Sequence, residues 1–273
     1  MLSFISFGSG SSGNCYCLFT ETDALMIDAG IGVRGLRKAF RDKGLSTALV
    51  HNLLITHDHA DHVKSVGSLS HEWNIPVYAT REVHEGIERN YYVHRKVSRE
   101  LKRYIEKDAA LQVGEFRVTP FAVPHDSADC VGYSIEHEGA TFCLVTDAGH
   151  ITQAIARHIA RADYLVIEAN HDEEMLRDGV YPEFLKRRIS GQRGHLSNDA
   201  CGNAIAENMT DRLRGVWLCH LSEENNHPEL ARKTVEAILH SRGIEVGSRL
   251  SLEVLGRKTP SEVFVLNVNT DKE

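Results

Sequence analysis

Six short apolar runs in this chain each stop on an acid or an imidazole. Ala24-Leu25-Met26-Ile27 runs into Asp28, Leu53-Leu54-Ile55 toward His57, Phe121-Ala122-Val123 toward His125, Cys143-Leu144-Val145 toward Asp147, Leu165-Val166-Ile167 into Glu168, and Val216-Trp217-Leu218-Cys219 into His220. Short runs of this kind, rich in β-branched and aliphatic side chains, read as buried strands, and strand ends are where α/β proteins build their sites. The arrangement predicts one rim at which six strand ends present polar groups. A lone histidine such as His125 or His220 reads by itself as a hydrogen-bonded structural residue. Six convergent ends are a poor fit to that plainer reading.

The rest of the chain alternates in the same manner. Strand-like segments at 2–7, 15–19, 24–28, 50–55, 76–79, 116–123, 131–137, 140–146, 163–168, 216–219 and near 263–266 are interleaved with helical patterns. Those fall at about 33–43, 62–73, 80–87, 96–106, 150–160, 172–177, 197–209 and 228–242. This predicts an α/β chain with paired strands as well as crossovers, including a hairpin at Glu138-Gly139. No repeat, linker or low-complexity tract interrupts it, so 1–273 reads as a single domain. At 273 residues and 42% hydrophobic, the chain is long enough to bury a substantial core. The start, MLSFISFGSGSSGN, has no basic segment followed by an apolar one, and no window approaches the ~18 apolar residues of a membrane helix. The expectation is a cytoplasmic protein without a membrane partner. The six cysteines include no CxxC, and Cys15, Cys17 and Cys143 fall in strand-like runs, which argues against disulfides and cysteine-ligated zinc.

The densest strand end is Thr56-His57-Asp58-His59-Ala60-Asp61-His62, with three imidazoles and two carboxylates in seven residues. Neutral imidazole and carboxylate together suit zinc, manganese or iron, whereas calcium and magnesium favour oxygen alone. His57, His59, Asp61, His62, His125, Asp147 and His220 offer five nitrogens and two carboxylates, more than one tetrahedral ion takes. The set suits two divalent ions, zinc or manganese, each left with a position for water. Two ions roughly 3.5–4 Å apart can share a hydroxide and clamp the attacking and leaving oxygens of a displacement.

These residues resemble the metallo-β-lactamase fold: HxHxDH at 57–62, a single histidine at 125, Asp147 within TDAG and His220 within CHLS, in that family's order and over most of the chain. The resemblance implies an α/β fold, a four-layer αββα sandwich in which two sheets pack face to face with helices outside and metals at one edge. It implies that His57, His59 and His125 hold one ion, that Asp61, His62 and His220 hold the other, and that Asp147 lies between. Asp28 would steady the ligand loop from behind. The fold hosts many chemistries, so it does not select one, but His59 differs from the glutamate of flavodiiron members.

Leu165-Val166-Ile167-Glu168-Ala169-Asn170 and Gly194-His195-Leu196-Ser197 are similar to elements of the transfer-RNA 3′-processing nucleases of this fold. There a strand-end glutamate pairs with a histidine near the metals, and a carboxylate-oriented histidine can protonate an alkoxide leaving group. By that resemblance His195, Glu168 and Asp61 are the catalytic candidates. On residues alone, His195 also reads as leading a helix capped by Ser197, and Glu168 as a buried hydrogen-bonded carboxylate. The stretch from Gly8 to Tyr16, Asn170-His171-Asp172 with Met175-Leu176, GHLSNDA at 194–200 and HLSEENN at 220–226 closely resemble the YycJ/WalJ group of bacterial metal-dependent exonucleases, which act from the 5′ end of DNA. The Gly/Ser turn at 8–13 reads either as a close backbone approach offering amides to the site or as a plain hairpin loop.

A net charge of −7 speaks against a general polyanion binder, yet the cations cluster. Residues 89–103 carry Arg89, Arg95, Lys96, Arg99, Lys102 and Arg103 with Tyr91, Tyr92 and one acid, and 186–193 carry Lys186, Arg187, Arg188 and Arg193. From charge alone these are solvated faces. Beside a catalytic site they become flanks of a nucleic-acid path, with Arg95, Lys96, Arg99 and Arg193 as contacts and the tyrosines stacking bases. The chain has neither the inserted domain of the β-CASP nucleases nor a long flexible arm, so grip must come from the domain itself. The reading is a metal-dependent phosphodiesterase acting on nucleic acid, a 5′-to-3′ DNA exonuclease using a hydroxide activated by two metals. Two alternatives stay open: a hydrolase of a small cyclic or RNA phosphodiester, and a noncatalytic nucleic-acid binding module, against which the complete ligand set argues. The physiological metal, strand polarity and oligomeric state are left open.

Overall fold

The computed structural model describes residues 1–267; positions 268–273 of the expected single domain lie outside the described residues. Strands β1 (Leu2–Gly8), β2 (Cys15–Phe19), β3 (Ala24–Ile27), β4 (Val50–Leu54), β5 (Val77–Ala79) and β6 (Lys102–Tyr104) lie side by side in that order. A second sheet follows as β7 (Leu111–Val113), β8 (Phe116–Ala122), β9 (Val131–His137), β10 (Ala140–Val145), β11 (Tyr164–Glu168), β12 (Gly215–Cys219) and β13 (Ser251–Val254). Strand β14 (Phe264–Leu266) returns to pair with β1.

Each sheet begins as an antiparallel meander and then turns parallel. The change comes at β3 in the first sheet and at β10 in the second. The expected hairpin joins β9 to β10, with Glu138 at φ 46° and Gly139 at φ 87°, the positive pair that a tight two-residue turn requires. From β3 and from β10 onward, the parallel strands deliver their C-terminal ends to a common rim.

Helices cover both outer faces. On the first sheet lie α1 (Val33–Asp42), the single turn α2 (Ala60–Val63), α3 (Val66–Trp73) and α4 (Arg81–Arg89); in the second half come α5 (Gln153–Arg161), α6 (Glu173–Asp178), α7 (Glu183–Ile189), α8 (Asn198–Asn208) and α9 (Pro228–Ser241). Five start on a side-chain cap, in which Thr80, Thr152, Asp172, Ser197 and His227 accept from backbone amides of the first turn. Leu36, Phe40, Leu69, Val83 and Ile87 pack on the first sheet, and Ile155, Ile159, Cys201, Ile205, Val235 and Leu239 on the second.

Between the sheets Phe4, Tyr16, Tyr133, Phe142, Leu144, Val166 and Trp217 form the third apolar layer. Within β10, Phe142 and Leu144 face the other sheet while Cys143 and Val145 face helices. Strands buried on both faces must be apolar at every position, which is why the six runs are continuous. The expected αββα sandwich is thus the observed one. All six cysteines are free and buried.

Three expectations are corrected. The helix expected over 96–106 is instead a 3₁₀ turn at Arg99–Leu101 followed by β6, which pairs with β5. Edge pairing supplies the backbone hydrogen bonds that a helix there would have made itself. The helix expected over 62–73 is interrupted at Ser65, whose amide bonds to Ala29 O, so that His62 can turn to the rim. Strands β7 and β13 and helix α7 were not expected; α7 buries none of its residues and therefore carries no periodic apolar signal.

Candidate metal centre

Three of the strand ends close with the same backbone device. Asp28, Asp147 and His220 take φ values of 63°, 55° and 53°, a left-handed conformation that costs non-glycine residues about 1–3 kcal/mol. The turn stops the strand and swings the side chain across the rim. Behind it the loops are laced together: Asn14 N donates to Asp61 O (2.8 Å), Ala29 N to His62 O (2.7 Å) and Gly30 N to Asn14 O (2.9 Å). A Cβ on Gly30 would fall 1.6 Å from Asp61 O. In the Gly/Ser turn itself a Cβ on Gly13 would fall 2.3 Å from Gly30 O, so that turn is a close backbone approach, and Ser9 Oγ also accepts from His220 N at 2.9 Å.

All seven expected donors meet here. Their ligand atoms form three overlapping groups, His57 with His59 and His125, His57 with His62 and Asp147, and Asp61 with His62 and His220, in each of which the atoms lie within 4.8 Å of one another. A fourth group joins Asp147 and His220 to Glu168 and His195. Asp147 spans the middle, with Oδ2 3.3 Å from His62 Nε2 and Oδ1 3.8 Å from His125 Nε2. Asp28 stands behind His62, its Oδ2 2.7 Å from Nδ1, and accepts from Thr56 N at 2.8 Å. The bond fixes which nitrogen of His62 faces the cluster.

The donor set calls for a cation. His57 Nε2 is fully buried and has no hydrogen-bond partner, which a structural histidine would not tolerate cheaply. Burial, together with neighbouring His62, holds His57 well below the ordinary histidine range, and burial lowers His125; both are neutral ligands at hand. Burial also works to lower His62, but the carboxylates of Asp28, Asp147 and Asp61 overcome it and hold the ring well above its ordinary value. For His220 burial is likewise outweighed, and Asp147, Asp61 and Glu168 push it up to about 10. Buried carboxylates here draw positive charge as protons, and a divalent cation binding in their midst supplies that charge and releases the protons. Asn14 Nδ2 lies 2.9 Å from His62 Nε2, so a cation on that nitrogen requires the amide to turn aside.

Glu168 ties this cluster to His195. Its Oε1 is 2.8 Å from His195 Nδ1 and 2.9 Å from His220 Nδ1, while Oε2 accepts from the amides of Ala148 and Leu196. Burial opposes its charge, but His195 and these hydrogen bonds keep its carboxyl below the usual range. In turn burial works to lower His195, and Glu168 and Asp147 raise it; with Nδ1 held by Glu168, Nε2 is the remaining edge of the ring. Sequence reasoning gave no role to Thr56, Ser9 or Asp126; the last meets the guanidinium of Arg188, expected on a nucleic-acid path, beside His125. Asp126 follows His125 directly and was the one legible signal among these.

The expected nucleic-acid contacts lie in two places. Arg95 and Arg99 are exposed, whereas Lys96 donates its ammonium to Ile87 O and Asn90 O at the end of α4. Lys96 thus fastens the loop instead of offering a free charge. Asn90 Nδ2 donates to Asp58 O at 2.7 Å, hanging Tyr91 and Tyr92, 84% and 63% exposed, from the ligand loop. Arg193 is exposed, but its Nε donates to His125 O at 2.8 Å, bracing a donor loop.

Residues 24–216 match the beta-lactamase superfamily domain. Exodeoxyribonuclease YycJ of Bacillus anthracis is 32% identical over 262 residues, 96% of this chain and 98% of its own. Exodeoxyribonuclease WalJ of Streptococcus pneumoniae is 34% identical over 239 residues, 88% of each chain. Among solved structures, the metallo-beta-lactamase fold protein YhfI of Bacillus subtilis superposes with a TM-score of 0.69 at 17% identity, covering 96% of this chain and 100% of that one. PqqB of Methylobacterium extorquens gives 0.72 at 17% identity, covering 96% and 99%.

Proposed function

We propose that this chain, which belongs to the beta-lactamase superfamily and is a metal-dependent hydrolase of that fold, is a phosphodiesterase that degrades DNA from its 5′ end. The observation that carries the reading is Glu168 joining His195 to the donor cluster through one oxygen. A histidine oriented by a carboxylate beside the metal donors, but outside the seven expected ligands, is placed as an alkoxide leaving group needs. Relatives named exodeoxyribonucleases along nearly the whole chain favour DNA over other diesters.

In this reading His57, His59 and His125 hold one divalent ion, Asp61, His62 and His220 hold a second, and Asp147 lies between. Two zinc or manganese ions bound there would supply an acidified water and stabilise charge at phosphorus. The chain's own part is to aim and to protonate. Glu168 fixes His195 by Nδ1, and Nε2 delivers a proton to the departing 3′-oxygen. Asp28 keeps His62 turned to the rim. Arg95, Arg99, Tyr91 and Tyr92 flank the approaching strand. We propose further that the chain works as one domain in the cytoplasm; no helix among the described residues is long and apolar enough to cross a membrane.

The test is digestion of 5′-labelled, 3′-labelled and circular strands by metal-loaded protein. Early release of labelled mononucleotide from the 5′ end, with circles resistant, is expected. Circles cut as fast as linear strands, or 3′ label released first, would overturn the polarity. Hydrolysis of nitrophenyl diesters and cyclic dinucleotides alone would give the small-molecule reading instead.

A further inference from the structure

His195 stands between two cavities separated by α7. On one side is a cleft of about 200 Å³ lined by Asp126, Asn170, Leu185, Arg188 and His220 beside the metal donors. On the other is a larger cavity of about 550 Å³, lined by His150, His171, Lys186, Arg187, Ser190 and Ser197. Its volume is that of a site for one small molecule, which run about 300–1,000 Å³. Two features mark it as built for a ligand. His171, 3% exposed, lines it and leaves Nδ1 without a hydrogen-bond partner. Lys186 and Arg187 are steered over it, Lys186 Nζ by Arg177 O at 2.6 Å and Arg187 Nε by Glu183 at 3.1 Å, while each keeps further N–H groups for an anion.

In-line displacement places the leaving oxygen opposite the attacking one, within reach of the acid His195, which lines both cavities. We infer that this second cavity is the subsite for the 5′-terminal nucleotide and that Lys186 and Arg187 grip its terminal phosphate. The inference rests on the exonuclease reading above and adds to it the recognition of the strand's end. In each turnover a bond forms between water oxygen and phosphorus, the P–O3′ bond breaks, O3′ takes the proton of His195, and the water's proton passes to solvent. The nucleotide that departs is a 5′-monophosphate, and the shortened strand keeps a phosphate on its new 5′ end. A pocket that grips this phosphate therefore fits every successive substrate after the first cut.

Two measurements test it on the metal-loaded protein. Single strands of one sequence, with 5′-phosphate or 5′-hydroxyl ends, should differ in the first release by about tenfold or more, the loss expected from a missing charge-assisted contact. The hydroxylated strand should then proceed at the ordinary rate, because its first cut creates a phosphorylated end. Arg187→Gln and Lys186→Gln, singly and together, should remove the preference by slowing the phosphorylated strand. In parallel, deoxyadenosine 5′-monophosphate should bind more tightly than deoxyadenosine by a similar factor, and the double variant should lose that difference. Equal first-release rates in the wild-type protein, or mononucleotide binding undiminished in the double variant, would overturn the subsite, the latter placing the phosphate on the metals. If no DNA end is cut, the exonuclease reading fails, and the mononucleotide titration still decides the cavity.

Discussion

At the scale of single residues, the site depends on groups that touch no substrate. Asp28 binds His62 and Thr56 at once, so it decides the direction in which His62 points. Asp28→Ala is expected to weaken metal binding about 10–100-fold, the usual effect of removing a partner behind a ligand, and a metal titration with a competing chelator reads it. An unchanged affinity would mean that packing alone holds the ring. His195→Ala separates acid from ligand. If His195 donates the proton, the variant keeps its metal and its DNA affinity while turnover falls roughly 10²–10⁴-fold, and a nitrophenyl diester, whose leaving group needs no proton, recovers much of the loss. Loss of metal, or equal slowing of both substrates, makes His195 a ligand or a support instead.

At the scale of elements, the informative pieces are the ones without regular structure. The segment between α4 and β6 is fastened at both ends, by Asn90 to the ligand loop and by Lys96 to the end of α4. What remains free on it is Tyr91, Tyr92, Arg95 and Arg99. Neutralising Arg95 and Arg99 together should weaken DNA binding and flatten its dependence on salt by about 0.7 per lost contact on single strands, with turnover at saturating DNA little changed. A salt slope identical to the wild-type value puts the strand on another face. Lys96 does not belong in that variant, because removing it would release the loop and mix a structural loss with an electrostatic one.

At the scale of the whole molecule, the two sheets bring together what the chain keeps apart. His57 and His220 come from different sheets and are 163 positions distant, yet the packing of β4 and β12 ends around one rim puts both against Asp147 and His62. Two carboxylates and five imidazoles meet there as candidate ligands, so bound cations should contribute to folding stability as any ligand specific to the native state does, by about 2.7 kcal/mol for one site at a hundredfold excess over Kd. Chelation is expected to lower Tm by several degrees in a chain of this size, with recovery on adding zinc or manganese. A Tm indifferent to chelator would mean that no metal binds tightly at these donors.

The sequence by itself determined the alternation of strands and helices and the donors, while the layer order was what the resemblance to a known fold implied. Short continuous apolar runs read as buried strands, and seven metal-type donors at or just beyond their ends were legible because strand ends are local features. So was the Glu138-Gly139 turn, which depends on two residues. The tertiary structure decided what local pattern cannot hold. Residues 96–106 look helical in spacing, but β5 offered an edge and β6 took it. Helix α7 buries nothing and so left no apolar rhythm to read, although it divides the two cavities at His195. The charges of Lys96 and Arg193 look alike to Arg95 and Arg99 in sequence; only the folded chain sets the first pair on carbonyl groups and leaves the second in solvent, since which acceptor a long side chain reaches depends on neighbours brought near by folding.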